Sequence, residues 1–78
     1  MPRYFFHIRD GWEVVPDEEG IEFSDRCLAE VEGYDSARDL AFAAETEGRS
    51  LAAYSVEVTN EAGTVIRRIK VEPIYRVA

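Results

Sequence analysis

Few residues in this sequence are equipped for chemistry. His7 is the only histidine and Cys27 the only cysteine. A general base needs a hydrogen-bonded partner and a walled pocket, yet His7 sits between Phe5 and Arg9 on the strand face opposite Tyr4, Phe6 and Ile8. Cys27 falls in the first turn of a helix, where the N-terminal partial charge lowers a thiol pKa. Asp25, Glu30 and Glu32 oppose that effect, and there is no resolving cysteine. Asp17, Glu18, Glu19, Glu22 and Asp25 crowd carboxylates into nine residues. A calcium loop wants glycine at its sixth position, and here Gly20 is fourth. Paired carboxylates can also divide acid and base roles in hydrolysis. An enzyme of that kind would have to join Asp17, Glu18 or Glu19 to His7 in a cleft, and the sequence supplies no walls for one. No catalytic residue, metal ligand or cofactor site is assigned.

The elements that would carry these residues follow from spacing. Arg3 to Arg9 is aromatic and β-branched, and the Asp10-Gly11 dipeptide is a hairpin signal. A second short strand covers about Trp12 to Val15, and Pro16 ends it because proline cannot donate to a ladder. Asp17 to Gly20 reads as a polar loop, and Ile21 and Phe23, alternating with Glu22, form a short extended piece that pins it. Ser24 or Asp25 is the N-cap of a helix from about Arg26 to Glu47, closed by Gly48 in the left-handed region. One stripe of that helix, Ala29, Gly33, Ala37, Leu40 and Ala44, is mostly small, which suits close packing over Tyr4, Phe6 and Ile8. Tyr54 to Thr59 alternates at period two, Asn60 to Gly63 is a turn, and Thr64 to Val71 is the returning strand. On that strand Val65, Ile69 and Val71 should share one face, and Ile66, Arg68 and Lys70 the other. The expected fold is α+β: a β-β-α-β-β two-layer sandwich with one helix on one face of an antiparallel sheet. Residues 1–72 make a single domain, and residues 73–78 are either a frayed tail or a docking arm.

The chain has 78 residues, of which 46% are hydrophobic, too many for a disordered acidic tail. It carries 16 acids against 9 bases, for a net charge of -7. That charge is concentrated: residues 10–48 hold 13 acids against Arg26 and Arg38, a net -11, while the flanking segments are each +2. Phosphate backbones are bound through positive charge, so direct nucleic-acid binding is disfavoured. No stretch is apolar enough to cross a bilayer, and Met1 to Asp10 lacks a basic segment followed by an apolar core. A cytoplasmic protein is expected.

Met1 to Gly11, the Asp17-Glu18-Glu19-Gly20 loop, Asp25, Ser36 to Leu40 and Val58 to Gly63 together resemble a family of small proteins of unknown function. These are common in alphaproteobacteria of the rhizobial kind. The resemblance spans roughly residues 1–71, and departs from the family pattern at Ser24, where proline is usual, and at Gly33, where alanine is usual. It implies a bacterial cytoplasmic setting and carries no mechanism. A looser resemblance is to HicB-type antitoxins, with Pro16-Asp17-Glu18-Glu19-Gly20 standing where their Pro-Asp-Leu-Pro-Gly would be. That likeness implies an acidic antitoxin that neutralises a basic ribonuclease.

Two apolar surfaces exceed what so small a core can use. Phe5 and His7, next to Ile66 and the C-terminal Ile74 and Tyr75, would form a patch on the uncovered sheet face. On the helix, Cys27, Val31, Tyr34 and Phe42 lie within about 80° of one another, with Leu28 at the edge, outside the small-residue stripe. Either the loops of residues 16–23 and 48–53 fold over this strip, or it is an interface anchored by Tyr34 and Phe42. The sequence thus points to a non-catalytic interaction or regulatory module that works through protein surfaces, as a homodimer or with a basic protein partner.

Overall fold

A computed structural model describes residues 1–51 and 53–73. The elements run β1 (Arg3–Asp10), β2 (Glu13–Val15), β3 (Ile21–Glu22), α1 (Arg26–Glu47), β4 (Tyr54–Thr59) and β5 (Val65–Lys70). The five strands form one antiparallel sheet in the order β2-β1-β4-β5, with β3 also pairing β1. The α+β fold with a single helix packed on an open sheet is as expected. Ile74 and Tyr75, and with them the proposed docking arm, lie outside the described residues.

Local chemistry sets the helix ends. Asp25 stands in extended conformation and its carboxylate accepts the Leu28 N–H at 3.0 Å, so it, and not Ser24, is the N-cap. At the other end Gly48 takes φ 70°, and the N–H groups of Gly48 and Arg49 donate to Glu45 and Ala44 carbonyls that the helix leaves unpaired.

The buried face of α1 is Ala29, Gly33, Ala37, Ala41 and Ala44. These lie over Tyr4, Val56, Val58, Ile69 and Val71, with Phe6, Phe23, Leu40 and Ile66 packed around them. The bulk of the core therefore comes from the sheet. At Gly33 helix and sheet are tightly apposed: a β-carbon there would fall 2.6 Å from Val58 Cγ2 and 2.9 Å from Ile69 Cδ1.

β5 departs from the simple alternation. Between Val58 and Thr59 the register shifts, so Val65 pairs with Thr59 while Arg67 pairs with Val58. The extra residue inverts the faces on either side of it. Ile66 packs against the core, whereas Val65, expected on the core side, is exposed. Arg67 reaches Glu30 of α1 at 2.6 Å, tying the strand to the helix.

Replacing Gly33 by valine forces branched atoms into Val58 and Ile69, and overpacking of this kind costs about 2 to 3 kcal/mol. Urea unfolding should show a midpoint lowered accordingly, and an unchanged midpoint would mean that α1 has room to retreat from the sheet.

Candidate functional site

The sheet face turned away from α1 carries most of the polar side chains that interact. Antiparallel register sets Phe5 opposite Thr59, His7 opposite Glu57 and Arg9 opposite Ser55, with Arg68 and Lys70 following on β5. At its centre Glu57 has a side chain only 6% exposed. Arg9 approaches it from one side, with Nε 3.2 Å from Oε2, and Arg68 from the other, with Nη2 2.6 Å from the same oxygen. A buried charge must be paired, and these two guanidiniums form a roof over it. Burial pushes the Glu57 carboxyl up, but the hydrogen bonds and charges of Arg9 and Arg68 outweigh it and leave the pKa below the ordinary glutamate value.

The loop of residues 16–20 is bound to the same face of β1. The Asp17 N–H donates to His7 Nδ1 at 3.0 Å. Since Nδ1 accepts, the neutral ring carries its proton on Nε2, which lies 3.1 Å from Thr59 Oγ1 and donates to it. The Asp17 carboxylate accepts from the backbone N–H groups of Phe6, Glu19 and Gly20. Phe6 lies in the gap between the stretches of β1 paired by β2 and by β3, so Asp17 serves there as a missing ladder partner. Arg3 holds the far side of the loop, donating to the Glu19 carbonyl and to Glu22, each at 2.8 Å. Gly20 has φ 69°, and a β-carbon there would fall 2.7 Å from the Tyr4 carbonyl oxygen and 2.9 Å from the Phe5 ring. Burial raises the Asp17 carboxyl, and the three backbone donors with the nearby His7 more than reverse it, so its pKa is also lowered.

The acid-rich stretch is therefore dispersed: Asp17 braces the loop, Glu22 pairs with Arg3, and Asp25 caps α1. Among the described residues, no group of three or more His, Cys, Asp or Glu side chains is placed to hold a metal ion. His7 and Asp17 do come together, but through the Asp17 backbone N–H, and both ring nitrogens of His7 are engaged. Phe5 and His7 stack, with ring centroids 6.3 Å apart, and both are half-buried.

The helix strip is different. Among the described residues neither loop covers it: the 16–20 loop lies on β1, and Val31, Tyr34 and Phe42 are 57%, 52% and 57% exposed. Leu28 is 47% exposed and Cys27 is a free, exposed thiol beside them. The candidate residues thus fall in two places, Phe5 and His7 on the sheet, and Cys27, Val31, Tyr34 and Phe42 on the outer side of α1. An open depression between the ends of α1 and β5, lined by Glu45, Arg49, Leu51 and Lys70 among others, contains none of them.

A family described as a domain of unknown function (DUF6894) matches residues 3–72. The chain belongs to that family. No curated protein and no solved structure matches it. The family span takes in all five strands and α1, and so both surfaces just described. No helix among the described residues is long and apolar enough to cross a membrane. A third exposed apolar group escaped the sequence reading: Trp12 at the hairpin tip is 93% exposed, with Val14 and Val15 beside it. The signal was present, since an Asp10-Gly11 turn puts the next residue at the tip.

Asp17 and Glu57 both have folded-state pKa values below their unfolded ones, so as pH falls from the unfolded values toward the folded ones the unfolded chain binds more protons. Their contribution is complete above the unfolded values and is lost as pH falls through the folded ones. Urea midpoints between pH 7 and pH 3 should fall in the wild type and fall less steeply in an Asp17→Asn/Glu57→Gln variant. Parallel slopes would contradict the assignment.

His7→Phe removes the acceptor for the Asp17 N–H. Amide exchange at Asp17, Glu19 and Gly20 should accelerate about tenfold or more with α1 unchanged, and unaltered exchange there would show that His7 does not hold the loop.

Proposed function

We propose that this is a cytoplasmic, non-catalytic interaction module that self-associates through the outer face of α1. The observation that carries the proposal is the row Val31, Tyr34 and Phe42, each more than half exposed on one side of the helix and covered by no loop. Large aromatic side chains left outside a core this small are the usual anchors of an interface. The polar side chains of the sheet's open face, by contrast, are largely engaged with one another, so that face offers less to a partner.

Electrostatics separates self-association from docking of a basic protein. Each copy carries -7, so like copies repel at long range and added salt should strengthen their association. A basic partner, such as the ribonuclease an acidic antitoxin would neutralise, would be released by salt.

Solution mass should be measured up to about 0.5 mM protein, which detects association as weak as roughly -4.5 kcal/mol, at low and high salt. A mass rising from 8.9 kDa toward twice that value, more readily at high salt, and lost in a Tyr34→Ser/Phe42→Ser variant, is expected. A monomer at every concentration and salt would overturn the proposal.

A further inference from the structure

The outer face of α1 has a sequence symmetry that selects how two copies meet. At about 100° per residue, Cys27, Val31, Tyr34, Arg38, Phe42 and Glu45 lie close to one line along the helix. Read from the middle of that line, between residues 36 and 37, opposite directions offer complementary chemistry. Val31 and Phe42 are equidistant from the midpoint, and so are Asp35 and Arg38. Tyr34 and Arg38 are centred half a residue away, a displacement of about 0.8 Å at the helical rise. Among the described residues, the side chains of Arg38, the one cation on this line, and of Asp35 make no ion pair or hydrogen bond.

Resting on the self-association proposed above, we infer that the partner of α1 is a second copy in antiparallel orientation, with the two-fold axis crossing the helices at residues 36–37. In that arrangement Val31 of each copy meets Phe42 of the other. Arg38 of each copy lies over Tyr34 of the other, a cation–π contact, and reaches its Asp35. An isologous interface requires that every contact appear twice, and each of these pairs does. A parallel pair would instead set Arg38 against Arg38 and Asp35 against Asp35, with like charges opposed at the centre.

Native Cys27 gives a direct test. In the antiparallel pair it faces position 45 of the other copy, while the two Cys27 residues stand about 27 Å apart along the axis, far beyond disulfide reach. A Glu45→Cys variant cannot close a disulfide within one helix, for the same reason. Mild oxidation should therefore convert Glu45→Cys to a covalent dimer while leaving the wild type and Glu45→Cys/Cys27→Ser uncrosslinked. As a second measurement, Asp35→Arg alone should raise the dissociation constant about tenfold or more by opposing Arg38 of the partner copy, and adding Arg38→Asp should restore it. A protein that is dimeric by mass but crosslinks through wild-type Cys27, or not at all in Glu45→Cys, would overturn the antiparallel arrangement and leave self-association standing. A monomeric mass would overturn both.

Discussion

One helix has to cover a five-stranded sheet, and it does so at close range. Contact at Gly33, flanked by Ala29, Ala37, Ala41 and Ala44, lets α1 settle onto Val56, Val58 and Ile69 with almost no side chain of its own between them. Dispersion and burial favour that proximity, and the cost is that the helix contributes little apolar bulk to the core. Its large residues, Val31, Tyr34 and Phe42, are left exposed outside that stripe. The exposed strip and the thin core are thus two aspects of one constraint. A helix with leucines along its inner stripe would stand farther off and would bury its own bulk.

The same economy governs the uncovered sheet face. Among the described residues no second layer covers that face, which is shielded by its own long side chains and by the loop of residues 16–20. Arg9 and Arg68 close over Glu57, and His7, Arg3 and the Phe5 ring hold the loop from Pro16 to Gly20 against β1. Hydrogen-bonded charge at a half-covered surface contributes less than an apolar layer would, because each pair trades water for protein. It does fix register and loop position. A one-residue slip of β4 would carry Glu57 to the helix side and leave Arg9 and Arg68 facing each other.

Elements whose signals are local were legible in the sequence. Asp25, the helical run and Gly48 delimit α1 at Arg26–Glu47, and simple alternation gives β4 at Tyr54–Thr59. Features that depend on what comes to lie opposite were not legible. The bulge that turns Ile66 inward and Val65 outward exists only in the pairing of β5 with β4. Likewise Glu57 looks like one more surface acid until β1 and β5 bring an arginine to each side of it. His7 looked like part of an apolar strip because its partner Asp17 is ten residues away, across a loop whose path no periodicity describes. The outer strip of α1 was legible as an excess of apolar surface, whereas the path of the 16–20 loop, bound to β1 and not over that strip, was not.

The claim that joins these observations is that the bulk excluded from the core is buried against a second copy. Val31 and Phe42 lie about 16 Å apart along one helix, too far for their protons to cross-relax within a single chain. In a mixture of isotope-labelled and unlabelled protein, a filtered nuclear Overhauser measurement should show transfer between the Val31 methyls and the Phe42 ring. Its absence at a concentration where the mass is dimeric, or Val31 and Phe42 resonances that do not change with concentration, would contradict the account.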